Sequence, residues 1–142
     1  MKIDFTIDID RPPADVFAYL TDAANLPVWQ SSALESHWEG EKAAGARIKE
    51  RRTFLGRDVE SEVEVTAYEP DRRFALKSLS GPVPFEADHI LEPRDGGTRL
   101  VFHGDAEPGG FLKLGGPMVR RAAERQFRSD FERLKDVLER RR

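Results

Sequence analysis

Three side chains are of types that could move a proton or hold a polar group inside an apolar protein: Glu50, Arg52 and His89. Glu50 and Arg52 alternate with Ile48 and Phe54, so in an extended strand all four side chains point to one face. A charge on an apolar face costs free energy unless it is paired. Two interpretations stay open, a Glu50–Arg52 pair that orients a polar ligand group, or side chains that reach solvent at a rim or a bulge.

His89 lies between Ala87 and Leu91, two apolar positions on the same face of a predicted strand. An imidazole has an ordinary pKa of about 6.5, which suits acid–base catalysis at neutral pH. The same ring could instead be a hydrogen-bonded part of a cavity wall. His89 with Glu50 or Arg52 is therefore the catalytic set that this sequence offers, if the protein catalyses a reaction.

Other kinds of site find little support in the sequence. The chain has no cysteine, which excludes disulfides and cysteine-ligated metal sites. His37 and His103 are expected at the surface, and with His89 they lack the i, i+4 spacing of a zinc motif. The glycine pairs lack the spacing of a phosphate-binding loop. The net charge is −3, which gives no reason to expect a nucleic-acid partner. We therefore expect no metal, no cofactor and no nucleic-acid partner.

Period-two alternation predicts most of the structure as β-strands. Turns rich in glycine, proline and aspartate separate these strands, and short connections favour an antiparallel sheet. In the fourth strand the predicted inner face carries Val59, Ser61, Val63, Val65 and Ala67. The predicted strands cover residues 2–10, 34–41, 46–55, 58–69, 73–80, 83–92 and 98–107.

Two helical regions are predicted. A short helix from Pro13 to Thr21 follows the first strand, and a second short helical turn is expected within residues 22–29. After a glycine-bearing segment, Phe111–Pro117, a long C-terminal helix of about six turns begins. Its apolar stripe consists of Phe127, Phe131, Leu134 and Leu138.

These elements predict one α+β domain over residues 1–142, in which a curved antiparallel sheet of about six to seven strands wraps the C-terminal helix. A curved sheet diverges from a straight helix, and the gap is a natural place for a ligand. Ser61 and Ser78 are either ligand donors or small residues that make room, and Phe111 could belong to a lid. The expected ligand-lining residues are Trp38, Ile48, Phe54, Val63, Phe74, Leu76, Ser78, Phe85, His89, Phe102, Phe111 and Phe127.

Short motifs spread over nearly the whole chain support this arrangement. They are Arg11-Pro12-Pro13-Ala14-Asp15-Val16-Phe17, Leu20-Thr21-Asp22 with Leu26-Pro27 and Trp29, Tyr68-Glu69-Pro70 with Arg73-Phe74, Leu91-Glu92-Pro93 with Gly97-Thr98-Arg99-Leu100, and Phe131-Glu132-Arg133-Leu134-Lys135. With the order of elements, they resemble the START-like, or helix-grip, superfamily and its bacterial polyketide cyclase/dehydrase and lipid-transport group. That resemblance implies a fold that carries lipids, sterols or quinones in some members and catalyses cyclisation or dehydration in others. Its members share no catalytic motif, so it implies no catalytic residue here.

Three functions remain open at this point. We expect binding or transport of a small hydrophobic ligand, such as a lipid, an isoprenoid or a polyketide. The alternatives are a cyclase or dehydratase that uses His89, and a protein-interaction module acting through the C-terminal helix. That helix region, residues 117–142, carries nine Lys/Arg and five Asp/Glu, which a solvated face also explains.

The remaining expectations concern location and assembly. No apolar run approaches the roughly 20 residues of a membrane-spanning helix, so no stable membrane insertion is expected. The N-terminus alternates apolar and charged residues rather than forming the continuous apolar region of a signal peptide. We therefore expect a cytoplasmic protein, and its oligomeric state stays open.

Overall fold

Seven strands form one antiparallel sheet in the computed structural model, which describes residues 1–54, 56–81, 83–107 and 110–140, without the side chains of 110–115. Consecutive strands from β2 to β7 are neighbours, and β1 pairs with β7. This is the antiparallel sheet that the sequence predicts. The strands are β1 (Lys2–Ile9), β2 (Ala33–Glu39), β3 (Arg47–Phe54), β4 (Arg57–Glu69), β5 (Arg73–Ser80), β6 (Phe85–Arg94) and β7 (Gly97–Ala106).

The first helix, α1 (Pro13–Thr21), has the predicted limits. Proline is suited to its first turn, because the backbone N–H that proline lacks would have no partner inside the helix. A 3₁₀ turn (Ala23–Asn25) and a one-turn helix, α2 (Leu26–Trp29), follow. The Asp22 carboxylate accepts a hydrogen bond from the Ala24 N–H at 3.1 Å and so caps the start of that turn.

A β-bulge in β4 overturns part of the predicted face assignment. The pairing register between β4 and β5 shifts between Val65 and Ala67, so that Ala67 lies opposite Ala75 and Tyr68 lies opposite Phe74. The prediction that Ala67 faces inward is therefore wrong, because one extra residue reverses the alternation that follows it. Tyr68 takes the inner position and contacts Phe17, with 5.2 Å between ring centroids.

The C-terminal helix, α3 (Gly110–Arg140), begins earlier than predicted. The segment Phe111–Pro117, expected to lead into the helix, has a helical backbone that is broken at Gly116, where φ is 52° and ψ is −135°. Few residues other than glycine adopt such a conformation. Pro117 then lies at the start of a second helical segment. Proline is tolerated there because the backbone N–H that it lacks would have no partner within the helix.

The C-terminal half of α3 lies against β1, α1 and α2 and forms one side of the main core. Phe131, Leu134 and Leu138 are 1%, 0% and 2% exposed. The Phe131 ring packs against Phe5 and Trp29 at centroid distances of 5.0 and 5.3 Å. The sheet therefore grips the helix mainly through this half, in the helix-grip arrangement that the sequence predicts.

Candidate functional site

An aromatic cluster lies on the inner face of the sheet, between β5, β6, β7 and α3. We define it as Phe74, Phe102, Phe127 and Phe131. Phe102 stacks on Phe127 at 5.7 Å with an interplanar angle of 26°, and it packs on Phe131 at 4.9 Å. The antiparallel register places His89 opposite Phe74 on one side and opposite Phe102 on the other. His89 is therefore a polar ring set among aromatic rings.

The backbone fixes the tautomer of the neutral His89 ring. Its Nδ1 lies 2.9 Å from the carbonyl oxygen of Phe74. A carbonyl oxygen can only accept, so Nδ1 carries the proton, and Nε2 of a neutral ring keeps a free lone pair. Burial lowers the pKa of His89, against the weaker opposing effects of the Phe74 carbonyl and the Asp88 carboxylate. The ring is therefore neutral at pH 7.

The second nitrogen of His89 has no hydrogen-bond partner among the described residues. In that part of the chain, Trp29 Nε1 is the fully enclosed side-chain atom without a partner. The His89 residue is 4% exposed, and its Nε2 is not fully enclosed in the way that Trp29 Nε1 is. An acceptor is thus available on the inner side of the sheet.

Glu50 and Arg52 form an ion pair on β3. Arg52 Nε donates to Glu50 Oε2 at 2.8 Å, and Arg52 Nη1 donates to Ser32 Oγ at 3.1 Å. The Glu50 side chain is 4% exposed and that of Arg52 is 23% exposed. The β3–β4 register runs from Arg47 to Phe54 without a shift, so no bulge there turns these charges outward. Pairing offsets the cost of burying them.

A second polar group beside this pair was missed by the sequence reasoning. Asp130 of α3 is buried, and its Oδ1 accepts from the Ser31 N–H at 3.3 Å and from Ser31 Oγ at 3.1 Å. Gln126 Nε2 also donates to it, at 3.2 Å. Ser31 and Ser32 are adjacent, so the loop after α2 is bonded both to α3 and to β3. In the sequence Asp130 resembles a solvated helix residue one turn after Gln126, so no local signal identifies it.

The structure does not join the predicted catalytic set. Glu50 lies on β3 and His89 on β6, with β4 and β5 between them. Three strand spacings correspond to about 14 Å along the sheet. Within the described residues, no hydrogen bond or ion pair connects His89 with Glu50 or Arg52. The two polar sites therefore face the interior from different places.

The Polyketide cyclase / dehydrase and lipid transport family matches residues 1–139, nearly the whole chain. The chain belongs to this family. No curated protein matches it by sequence.

Solved structures support the fold of this polyketide cyclase and lipid-transport family member. DR_A0006 from Deinococcus radiodurans is 22% identical with a TM-score of 0.74, and 98% of this chain aligns with 97% of that one. TTHA0849 from Thermus thermophilus is 19% identical with a TM-score of 0.79, and 97% of each chain aligns. The di-domain ARO/CYC BexL of the BE-7585A biosynthetic pathway is 19% identical with a TM-score of 0.76, and 98% of this chain aligns with 46% of BexL.

The other predicted lining residues of this family member divide by burial. Ile48, Val63, Phe74 and Phe102 are buried, whereas Trp38, Phe54, Leu76, Ser78 and Phe85 are half-buried. Two of them have local partners, since Trp38 Nε1 donates to the Thr21 carbonyl at 2.8 Å and Ser78 Oγ accepts from the Phe85 N–H at 2.8 Å. The side chain of Phe111 lies outside the described residues.

The outer face of the sheet carries charged grooves and the two surface histidines. His37 and His103 are exposed, as predicted, and His103 Nδ1 lies 2.7 Å from an Asp4 carboxylate oxygen. Two grooves of about 500 Å³ each lie mainly on this face. Their walls include ion-paired side chains such as Arg51 and Arg73, so they differ from the apolar cavity predicted behind the sheet.

The described residues hold neither a cluster of metal ligands nor a helix suited to span a membrane. Across residues 1–54, 56–81, 83–107 and 110–140, no three His, Asp or Glu side chains are grouped to hold a metal ion. Over the same part of the chain, no helix combines the length and the apolar character needed to cross a membrane.

Proposed function

We propose that this chain binds or carries a small hydrophobic ligand between the inner face of the sheet and α3. The family supports a ligand-binding role, because its description covers lipid transport as well as cyclisation and dehydration. The predicted lining residues would supply an apolar wall with few polar groups, which is typical of small-molecule sites.

The observation that carries the proposal is the incomplete burial of Phe127. This residue belongs to the apolar stripe of α3 and stacks on Phe102, yet it is 37% exposed. Phe54, Leu76 and Phe85 on the inner face are also only half-buried. Apolar surface left in contact with water costs about 25 cal/mol per Å², and a ligand that covers it recovers that free energy.

Native mass spectrometry of the protein purified from its own host, followed by organic extraction, tests the proposal. We expect an apolar compound to copurify with the protein. A protein that is empty and also fails to take up the neutral fluorescent probe Nile red would contradict the proposal.

A pair of variants locates the site. Phe127→Asp places a charge on the proposed wall, whereas Leu79→Asp places one near the end of β5 at a similar exposure of 44%. We expect Nile red affinity to fall about tenfold or more in the first variant, since the charge must be desolvated when the probe binds. The second variant should bind as the wild type does, and circular dichroism should show that both are folded.

The second candidate function is an enzyme of the cyclase or dehydratase type. The observation in its favour is that His89 is a neutral, buried imidazole whose Nε2 can accept a proton from a bound molecule. In that case His89→Ala should abolish turnover while Nile red affinity stays within a few fold. Turnover that survives the substitution would remove this candidate.

A further inference from the structure

The unpartnered nitrogen of His89 calls for a physical explanation. A histidine with a structural role normally uses both ring nitrogens, whereas here Nδ1 alone is bonded, to the Phe74 carbonyl. A ring nitrogen that forgoes a hydrogen bond inside the protein costs the folded state free energy. Phenylalanine would pack against Phe102 and Phe131 without that cost. The histidine is therefore explained best by a partner that comes from outside the chain.

The chemistry of that partner follows from the state of the ring. Since Nδ1 holds the proton, Nε2 presents a lone pair and can only accept a hydrogen bond. A carboxylate ligand has no proton to donate and would be repelled by the lone pair. An alcohol or a phenol can donate its O–H directly.

The charges near the interior also disfavour an anionic ligand. The guanidinium of Arg52, which could attract an anion, already donates to Glu50 and to Ser32. The buried carboxylate of Asp130 on α3, bonded to Ser31 and Gln126, adds a further negative charge. Removing an anion from water without a free cation to receive it is strongly unfavourable.

We propose that the interior selects neutral apolar ligands that carry a hydroxyl group, and that His89 Nε2 accepts the hydrogen bond from that hydroxyl. This inference rests on the proposed function, because it needs a ligand between the sheet and α3. It makes His89 a specificity-determining residue whether or not a reaction follows.

Three naphthalene derivatives of nearly equal size test the inference by fluorescence titration. Naphthol has a hydroxyl donor, methoxynaphthalene has the oxygen without the donor, and naphthoate has a carboxylate. At about pH 7.5 naphthol is neutral and naphthoate is charged. One hydrogen bond predicts that naphthol binds about five- to tenfold more tightly than methoxynaphthalene. Naphthoate should bind most weakly.

Substitutions at His89 separate the hydrogen bond from packing. His89→Phe keeps an aromatic ring and removes the acceptor, so naphthol and methoxynaphthalene should bind it equally. His89→Gln keeps an acceptor oxygen and should retain part of the preference. His37→Phe, at an exposed histidine on the outer face, should bind all three compounds as the wild type does.

The outcomes distinguish this inference from the proposed function. Equal binding of naphthol and methoxynaphthalene to the wild type would overturn the role of His89 and leave a nonselective carrier. Tightest binding of naphthoate would overturn it as well. Failure of all three compounds and of Nile red to bind would overturn the proposed function itself. If His89→Phe does not fold, the wild-type ranking and His89→Gln still decide.

Discussion

The two halves of α3, taken before and after Asp130, differ in burial. In the C-terminal half, Phe131, Leu134 and Leu138 are almost completely buried against β1, α1 and α2. In the N-terminal half, Met118 and Phe127 follow the break at Gly116, and they are 79% and 37% exposed. The C-terminal half therefore finds its apolar partners within the chain, whereas Phe127 in the N-terminal half stays partly in contact with solvent.

The largest expected difference between the halves is in stability. Leu134→Ala should lower the free energy of unfolding by about 2–5 kcal/mol, because it leaves a cavity in a fully buried position. Phe127→Ala should cost only about 1–2 kcal/mol, since part of the ring is already in water and the main loss is the stacking on Phe102. Urea unfolding measures both. Equal losses would show that the two halves are packed alike.

The buried half and the strands are also the parts that the sequence predicts well. Alternation placed the ends of the strands within one or two residues, as β3 (predicted 46–55, observed Arg47–Phe54) illustrates. The reason is physical, since a sheet with one buried face imposes its period of two on the sequence. A helix with one buried face likewise imposes its period of 3.6 residues on the sequence, so the spacing of Phe131, Leu134 and Leu138 predicts the buried face of α3.

Features that depend on contacts distant in sequence were not predictable. The bulge that brings Tyr68 inward arises from the pairing of β4 with β5, and local alternation carries no sign of it. Asp130 looks like a solvated helix residue until the loop carrying Ser31 is seen against it. Counting along each strand placed His89 on the inner face, but the free Nε2 depends on the Phe74 carbonyl, which lies in another strand.

A smaller effect is expected at Asp130, which lies where the two halves of α3 meet. Asp130→Ala removes the acceptor for Ser31 and for Gln126 and should lower the free energy of unfolding by about 1–3 kcal/mol. Asp136→Ala, at an exposed position on the same helix, should change it by less than about 0.5 kcal/mol. Similar values for the two variants in urea unfolding would mean that Asp130 does not hold the loop to α3.

The smallest expected effect concerns pH and His89, whose ring contacts Phe131 of the buried half and Phe102, the partner of Phe127. Burial lowers the pKa of His89 in the folded state, whereas in the unfolded chain it is about 6.5. Below about pH 6.5 the unfolded chain therefore binds a proton that the folded protein does not. Stability should fall as pH decreases through this window, by at most about 1.4 kcal/mol per pH unit.

Urea unfolding of the wild type and of His89→Gln, between about pH 5 and pH 7.5, measures this contribution as the difference between two slopes. The other titrating groups are present in both proteins, so their contributions largely cancel. We expect the wild type to lose more stability than the variant as the pH falls. Parallel slopes would mean that the ring is protonated as easily in the folded protein as in water. Water would then reach the His89 ring in the folded protein. The solvent contact seen at Phe127 would in that case continue inward to His89.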